Sequence, residues 1–213
     1  FIVEGEFNID VLSINDSPII TSIPIDNILL GDLFEYNIQF SDVDSDVLSI
    51  FLENEPDGMD IVNQTITWMP DYTGYFGPIT LIIDDNDSIN PLQAIQDFYI
   101  DVRLAQDFIL HQGNNLISYM GTLEDNSIEN MFINLGDNVL QILTENYASV
   151  QLENGEWIGS LQNIESTKGY WIRLQNPSDY GLATYQTDIN QVYNLHAGQN
   201  LISYIGDDNI DLD

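Results

Sequence analysis

The sequence predicts a mainly β chain, with a β-sandwich over residues 15–104 followed by a small α+β repeat module over residues 105–194. Two observations support this fold class. Short segments that alternate apolar and polar residues, separated by turn residues, follow one another through the first half. The second half contains a capped helical segment and a long internal repeat, which is typical of arrays of modules.

Strand candidates in the first module are short, and turn-forming residues separate them. They are Ile19-Ile20, Leu33–Phe40, Val47–Leu52, Thr65–Trp68, Ile79–Ile83 and Phe98–Val102. No stretch of this module shows a sustained helical period. Short strands at this spacing favour an all-β sandwich, in which Met59 and Trp68 are predicted core residues.

Two internal repeats indicate that the chain belongs to a longer array. Phe7-Asn8-Ile9-Asp10-Val11 recurs 91 residues later as Phe98-Tyr99-Ile100-Asp101-Val102, so residues 1–14 are predicted to hold the last strand of a preceding domain. Residues 110–121 recur 85 residues later, at 195–206, with nine of twelve positions identical. Residues 195–213 are therefore either the start of a second repeat unit or the closing strand of the first.

The chain is strongly acidic and has no cysteine. Thirty-five acidic residues face three basic ones (Arg103, Lys168 and Arg173), giving a formal net charge of −32. Nucleic acid and anionic membrane surfaces are excluded as partners because both require a basic protein face. Membrane insertion is not expected, since no apolar run approaches the roughly 20 residues of a spanning helix. The absence of cysteine excludes disulfides and the usual cysteine zinc sites.

One set of motifs covers nearly the whole first module. Its members, in order, are Gly31, Phe34-Glu35-Tyr36, Asp42-Val43-Asp44-Ser45-Asp46, Pro56-Asp57-Gly58-Met59, Ile66-Thr67-Trp68-Met69-Pro70, Gly74 and Ile82-Ile83-Asp84. This order resembles bacterial cadherin-like domains of the dystroglycan type, which are Ig-like. Ser45 stands where a glycine is often found in the acidic loop. The resemblance implies a seven-stranded sandwich, a tandem arrangement and calcium binding near domain junctions.

Eight side chains are candidate calcium ligands because they offer oxygen atoms in acidic loops or at the predicted junction. They are Asn15, Asp16, Asp42, Asp44, Asp46, Asp84, Asp85 and Asp87. The acidic-loop aspartates alternate along an extended segment, so they project toward the same side. Calcium accepts six to eight oxygen ligands in flexible geometry and relieves the repulsion between such carboxylates. The alternative is that these carboxylates only keep loop tips solvated.

The second module combines strands with one short helix. Asp125-Asn126-Ser127 is expected to cap a helix that runs to about Asn134 and ends before Gly136. The predicted strands are Phe108–Tyr119 (interrupted by a turn), Val139–Leu143, Ala148–Leu152, Glu156–Ile158 and Tyr170–Leu174. Gly113–Tyr119 and Glu156–Ile172 resemble a tandem module of secreted bacterial surface proteins, in which a G-x-N-L-I-S strand, a helix and a G-Y-W-I strand alternate. This resemblance implies location and architecture, and no chemistry.

The residues of the second module that could serve catalysis or ligand binding are interpreted as structural. His111 and His196 are the only histidines and occupy the same repeat position, which favours a structural role at a strand–turn corner. No Gly-x-Ser-x-Gly motif supports a serine nucleophile. The aromatic residues are interpreted as core, with a platform for sugar rings as the alternative; they are Trp157, Tyr170 and Trp171.

These features together predict a non-enzymatic extracellular protein, secreted or on a bacterial cell surface, with a structural or adhesive role. Calcium is the expected cofactor, and neighbouring modules or other copies of the protein are the expected partners. Filament assembly by β-addition is one form this association could take, and surface glycans or proteins are further candidate partners. The alternative function is a carbohydrate-binding accessory region of a secreted hydrolase.

Overall fold

The structure is a computed structural model that describes residues 14–44 and 47–205. The predicted strand of a preceding domain, the candidate ligand Asp46 and the end of the chain from residue 206 lie outside the described residues. Within the described ranges the chain is mainly β with several antiparallel sheets, as the sequence predicts.

The described part of the chain forms sixteen strands, one short helix and one 3₁₀ turn. The first nine strands are β1 (Ile19–Ile20), β2 (Asn27–Leu29), β3 (Phe34–Asn37), β4 (Phe40–Ser41), β5 (Ser49–Glu53), β6 (Asp60–Val62), β7 (Thr65–Trp68), β8 (Gly74–Asp84) and β9 (Gln93–Leu110). They are followed by β10 (Gly113–Ser118), β11 (Gly121–Thr122), α1 (Ile128–Met131), a 3₁₀ turn (Gly136–Asn138), β12 (Val139–Thr144), β13 (Tyr147–Gln151), β14 (Trp157–Gly159), β15 (Gly169–Leu174) and β16 (Ser178–Gln186).

The chain forms two compact units. Among the described residues, the first unit contains residues 14–26, 33–69 and 76–100, and the second contains residues 27–32, 70–75 and 101–205. Strand β9 contributes its residues up to Ile100 to the first unit and those from Asp101 onward to the second. The sequence-based boundary between residues 104 and 105 stays a prediction.

The first unit is a two-layer β structure. One layer is the antiparallel sheet β3-β7-β6, in which Phe34 lies opposite Trp68; in the other layer β8 lies between β5 and β9. The layers share a core because alternate residues of each strand point inward. The rings of Phe34 and Phe98, one from each layer, stack with centroids 6.3 Å apart. Met59 and Trp68 are buried, as predicted.

The second unit has its own core beneath a five-stranded antiparallel sheet of order β10-β15-β12-β13-β14. Helix α1 begins after the predicted cap Ser127, whose Oγ accepts a hydrogen bond from the Asn130 N–H at 3.4 Å. It ends at Met131, one turn earlier than predicted. Strand β16 was not predicted; it pairs with the second half of β9, and its Tyr180 packs into the core against Phe132.

The repeated histidines lie at equivalent strand–turn corners, where the sequence predicts a structural role for them. In the first copy, the His111 N–H donates to Asn115 Oδ1 at 2.9 Å, and Asn115 Nδ2 donates to the His111 carbonyl at 2.8 Å. The second copy has the same pair of bonds between His196 and Asn200, both at 3.0 Å. An asparagine side chain therefore closes the same turn twice, and each histidine supplies backbone groups to it.

Candidate metal centre

Strand pairing brings the predicted calcium ligands toward one end of the first unit. Strands β1 and β4 pair antiparallel with Ile19 opposite Ser41, so the residues just before β1 lie near those just after β4. Strands β5 and β8 pair with Ser49 opposite Asp84, which places the segment before β5 near the end of β8. The segment before β1 and both acidic loops therefore meet, although up to 70 residues separate them in sequence.

Hydrogen bonds connect the members of this cluster. Asn15 Nδ2 donates to Asp85 Oδ2 at 2.6 Å. The Asp16 N–H donates to Asp44 Oδ2 at 2.7 Å, and the Asp44 N–H donates to Asp42 Oδ1 at 2.8 Å. We call these five residues the junction cluster.

Asp84 and Asp87, two further candidate ligands, accept hydrogen bonds that stabilise the loop after β8. Asp87 Oδ1 accepts hydrogen bonds from the N–H groups of Ile89 and Asn90 at 2.8 and 2.7 Å. Asp84 accepts from the Asn86 N–H and from Gln93 Nε2. These hydrogen bonds link the two carboxylates to their own loop and to the following strand, and their assignment as calcium ligands stays a prediction.

Asp85 is the most enclosed member of the junction cluster, with 2% of its surface exposed. Its Oδ1 accepts hydrogen bonds from the N–H groups of Asp87 and Leu92, both at 3.0 Å. The Asp87 N–H is the main cause that lowers the pKa of Asp85, and it acts against the desolvation that raises it. The bonds from Leu92 and Asn15 lower the pKa further. Asp85 is therefore held as a carboxylate where the segment before β1 contacts the β8–β9 loop.

The lowered pKa of Asp85 predicts acid sensitivity of the first unit. A carboxyl whose pKa is lower in the folded than in the unfolded state adds stability above its unfolded pKa, and this stability is lost as the pH falls through the folded pKa. The melting temperature of the first unit is expected to fall below about pH 4, and less steeply in Asp85→Asn. Thermal melts across the acid range would measure this, with the exposed Asp60→Asn as the matched control. Equal slopes for wild type and Asp85→Asn would contradict the prediction.

In the described part of the chain, no three aspartate, glutamate, histidine or cysteine side chains stand together as a group that could hold a metal as they are placed. The acidic loop between β4 and β5 continues through Asp46, outside the described residues. The junction cluster offers carboxylate and amide oxygens. Calcium binds such oxygen ligands, whereas softer metals prefer sulfur or nitrogen ligands. Ligation would require side-chain rotation within the cluster.

The aromatic residues of the second unit do not form a continuous platform. Tyr170 is fully buried, and desolvation raises its pKa to about 12. Trp157 is partly buried and packs against Phe132, with ring centroids 6.1 Å apart. The prediction that Trp171 is a core residue is wrong, because its side chain is 40% exposed. It lies on the outer face of β15, opposite Leu116 and Leu143 of the neighbouring strands, because alternation on β15 turns only its neighbours inward.

Two features of the second unit were not predicted. An ion pair joins His196 Nε2 and Glu145. The pKa of His196 is raised, mainly by the Ala197 carbonyl and then by Glu145, and His196 in turn lowers the pKa of Glu145.

An open cavity of about 600 Å³ lies beside Trp171. Its other lining residues are Leu143, Thr144, Glu145, Gln199, Asn200 and Leu201.

No family model matches the chain, and no curated protein matches it. One solved structure is similar at a TM-score of 0.31 and 12% identity: the SGBP-B of the Bacteroides ovatus mixed-linkage glucan utilization locus, in complex with a mixed-linkage heptasaccharide. The alignment covers 82% of this chain and 48% of that one. Among the described residues, no helix is long and apolar enough to cross a membrane.

Proposed function

We propose that the chain is a non-enzymatic structural or adhesive segment of a bacterial extracellular repeat protein, and that calcium stabilises its first unit. In this proposal the first unit is a cadherin-like, Ig-like sandwich, and the second is an α+β repeat module. Its partners are neighbouring modules or other copies of the protein. The observation that supports calcium most directly is the junction cluster, in which three distant acidic segments meet.

Charge balance is the physical argument for a bound cation. The three basic side chains of the protein, Arg103, Lys168 and Arg173, all belong to the second unit, as do both histidines. The junction cluster therefore lies in a unit whose sequence contains no lysine, arginine or histidine. Like charges brought together by folding repel one another, and a bound divalent ion converts that repulsion into attraction.

The location of the cluster fits a stiffening role. Asn15 and Asp16 precede the first described strand, at the predicted junction with a preceding domain. An ion bound there would hold the entering chain against both acidic loops. An ion that binds the folded state more tightly than the unfolded chain stabilises the folded state, by an amount that grows with the logarithm of its affinity.

Isothermal titration calorimetry of the metal-free chain with calcium tests the proposal, because it measures calcium binding directly. We expect saturable binding that magnesium does not reproduce, because magnesium demands a stricter geometry and dehydrates reluctantly. The double variant Asp42→Asn/Asp44→Asn is expected to lose this binding, whereas the exposed Asp60→Asn is expected to retain it. Absence of binding, or unchanged binding in the double variant, would overturn the calcium assignment.

Glycan binding is the second candidate function, favoured by the exposed indole of Trp171 beside an open cavity. An exposed aromatic face with a few polar neighbours is a common small-ligand arrangement. Soluble neutral polysaccharides are expected to change the tryptophan fluorescence of the chain, and Trp171→Ala to abolish the change. Trp157→Phe, which alters the partly buried indole, is the matched control. No response to a panel of neutral glycans would remove this candidate.

A further inference from the structure

The segment Leu195–Ile205 repeats the sequence of the β10 region, and its turn has the same hydrogen bonds, yet its surroundings differ. In the first copy, β10 pairs with β15 over six consecutive residue pairs, from Gly113–Leu174 to Ser118–Gly169. In the second copy, among the described residues, Ile202 forms only an isolated bridge, to Lys168. The same turn is therefore followed by a paired strand in the first copy and by an isolated bridge in the second.

The face that is buried in the first copy is exposed in the second. The three side chains of the first copy that enter the core are Leu110 (3% exposed), Ile117 (8%) and Tyr119 (0%). Their counterparts in the second copy are Leu195 (61% exposed), Ile202 (47%) and Tyr204 (50%). An apolar face that forms a core in one copy is thus presented to solvent in the other.

The other face of the segment shows the reverse pattern, because it is exposed in the first copy and has buried residues in the second. In the first copy, Leu116 points outward and is 54% exposed. In the second copy, Ser203 and Ile205, which share that face, are 2% and 4% exposed. The Ser203 N–H donates to the Thr167 carbonyl at 3.1 Å, and the Gly169 N–H donates to the Leu201 carbonyl at 3.2 Å.

We propose that Leu195–Ile205 is a joint between consecutive modules. Its outward face is held against residues 166–169 of the second unit, and its core face receives a further module of the same type. Successive side chains of a strand point to opposite faces, so one strand can serve both contacts. The inference rests on the proposed repeat architecture and does not depend on calcium.

The first copy shows what covers the exposed face. The occupant is an antiparallel strand with the β15 pattern Gly-Tyr-aromatic-Ile-x-Leu, together with the core that it carries. The β10 strand and its counterpart differ at one position, where Asn114 is replaced by Gln199. Asn114 is exposed, so the substitution leaves the pairing edge and the core face unchanged.

The first arm of the test uses the full chain. Ile117→Asp is expected to unfold the second unit, because it places a charge in the core. Ile202→Asp, at the matched position, is expected to leave the melting temperature of that unit unchanged. If Ile202→Asp lowers it as Ile117→Asp does, the segment belongs to the core of the second unit and the joint is ruled out.

The second arm replaces residues 206–213 with a copy of residues 121–187, so that the second copy is followed by the same sequence as the first. Hydrogen exchange of the backbone amides of residues 198–204 is expected to slow about tenfold or more, because these amides become hydrogen-bonded to the neighbouring strand. Ile202→Asp is expected to remove that protection in the extended chain. Val192→Asp is the matched control, since the first copy has the exposed Asp107 at that position. Unchanged exchange after extension, or protection that survives Ile202→Asp, would overturn the proposal.

Discussion

Replacing Phe132 with alanine is expected to lower the free energy of unfolding of the second unit by about 3–5 kcal/mol. The side chain is 2% exposed, and its ring lies 5.8 Å from that of Tyr180 and 6.1 Å from that of Trp157. Truncation removes buried apolar surface and leaves a cavity that the surrounding strands cannot fill. Urea unfolding followed by tryptophan fluorescence measures the loss, because Trp157 and Trp171 both report on this unit.

The neighbouring Ile133 is a matched control, since it is 68% exposed. Ile133→Ala is expected to change the free energy of unfolding by less than about 0.5 kcal/mol. Similar losses for the two variants would mean that the segment at the end of α1 does not face the core as described, and the fold of the second unit would need revision.

Replacing Trp68 with alanine is expected to destabilise the first unit by a similar amount, about 3–5 kcal/mol. Trp68 is 3% exposed, its ring centroid lies 4.7 Å from that of Phe76, and its Nε1–H donates to the Asp57 carbonyl at 3.1 Å. The substitution removes both a core side chain and the anchor of the turn before β6. Hydrogen exchange of peptides from β3 and β7 measures the effect without relying on the lost fluorophore.

Met69 is the corresponding control, because it follows Trp68 directly and is 61% exposed. Met69→Ala is expected to leave exchange in β3 and β7 almost unchanged. Faster exchange in Met69→Ala than in Trp68→Ala would contradict the assignment of Trp68 to the shared core of the two layers.

Much of the strand order could be predicted from alternation, and the misses have identifiable causes. Strand β7 was predicted with its observed bounds, because its apolar side chains alternate clearly. Strand β16 was missed because it follows Pro177 and includes Gly181, two residues that usually mark turns. Strand β2 was missed because it is only three residues long and pairs parallel with β9, a long-range contact that no local pattern indicates.

The candidate site was only partly predictable for the same reason. The sequence pointed to acidic loops and a junction, but the pairing of β1 with β4 and of β5 with β8 is what brings them together. Nothing local distinguishes Asp85, which is enclosed and bonded to Asn15, from Asp84 and Asp87, which close their own loop. The exposure of Trp171 was predictable in principle, since strict alternation on β15 turns it away from Tyr170 and Ile172.

The decisive measurement is thermal unfolding of the first unit at moderate salt, with calcium and then with a calcium chelator. Calcium at about a hundredfold excess over its dissociation constant stabilises the folded state by about 2.7 kcal/mol, which corresponds to a rise in the melting temperature of about 10–20 °C for a unit of this size. We expect that rise with calcium but not with magnesium, and not in Asp42→Asn/Asp44→Asn. A melting temperature that responds only to ionic strength would show that the junction cluster is a solvated acidic surface.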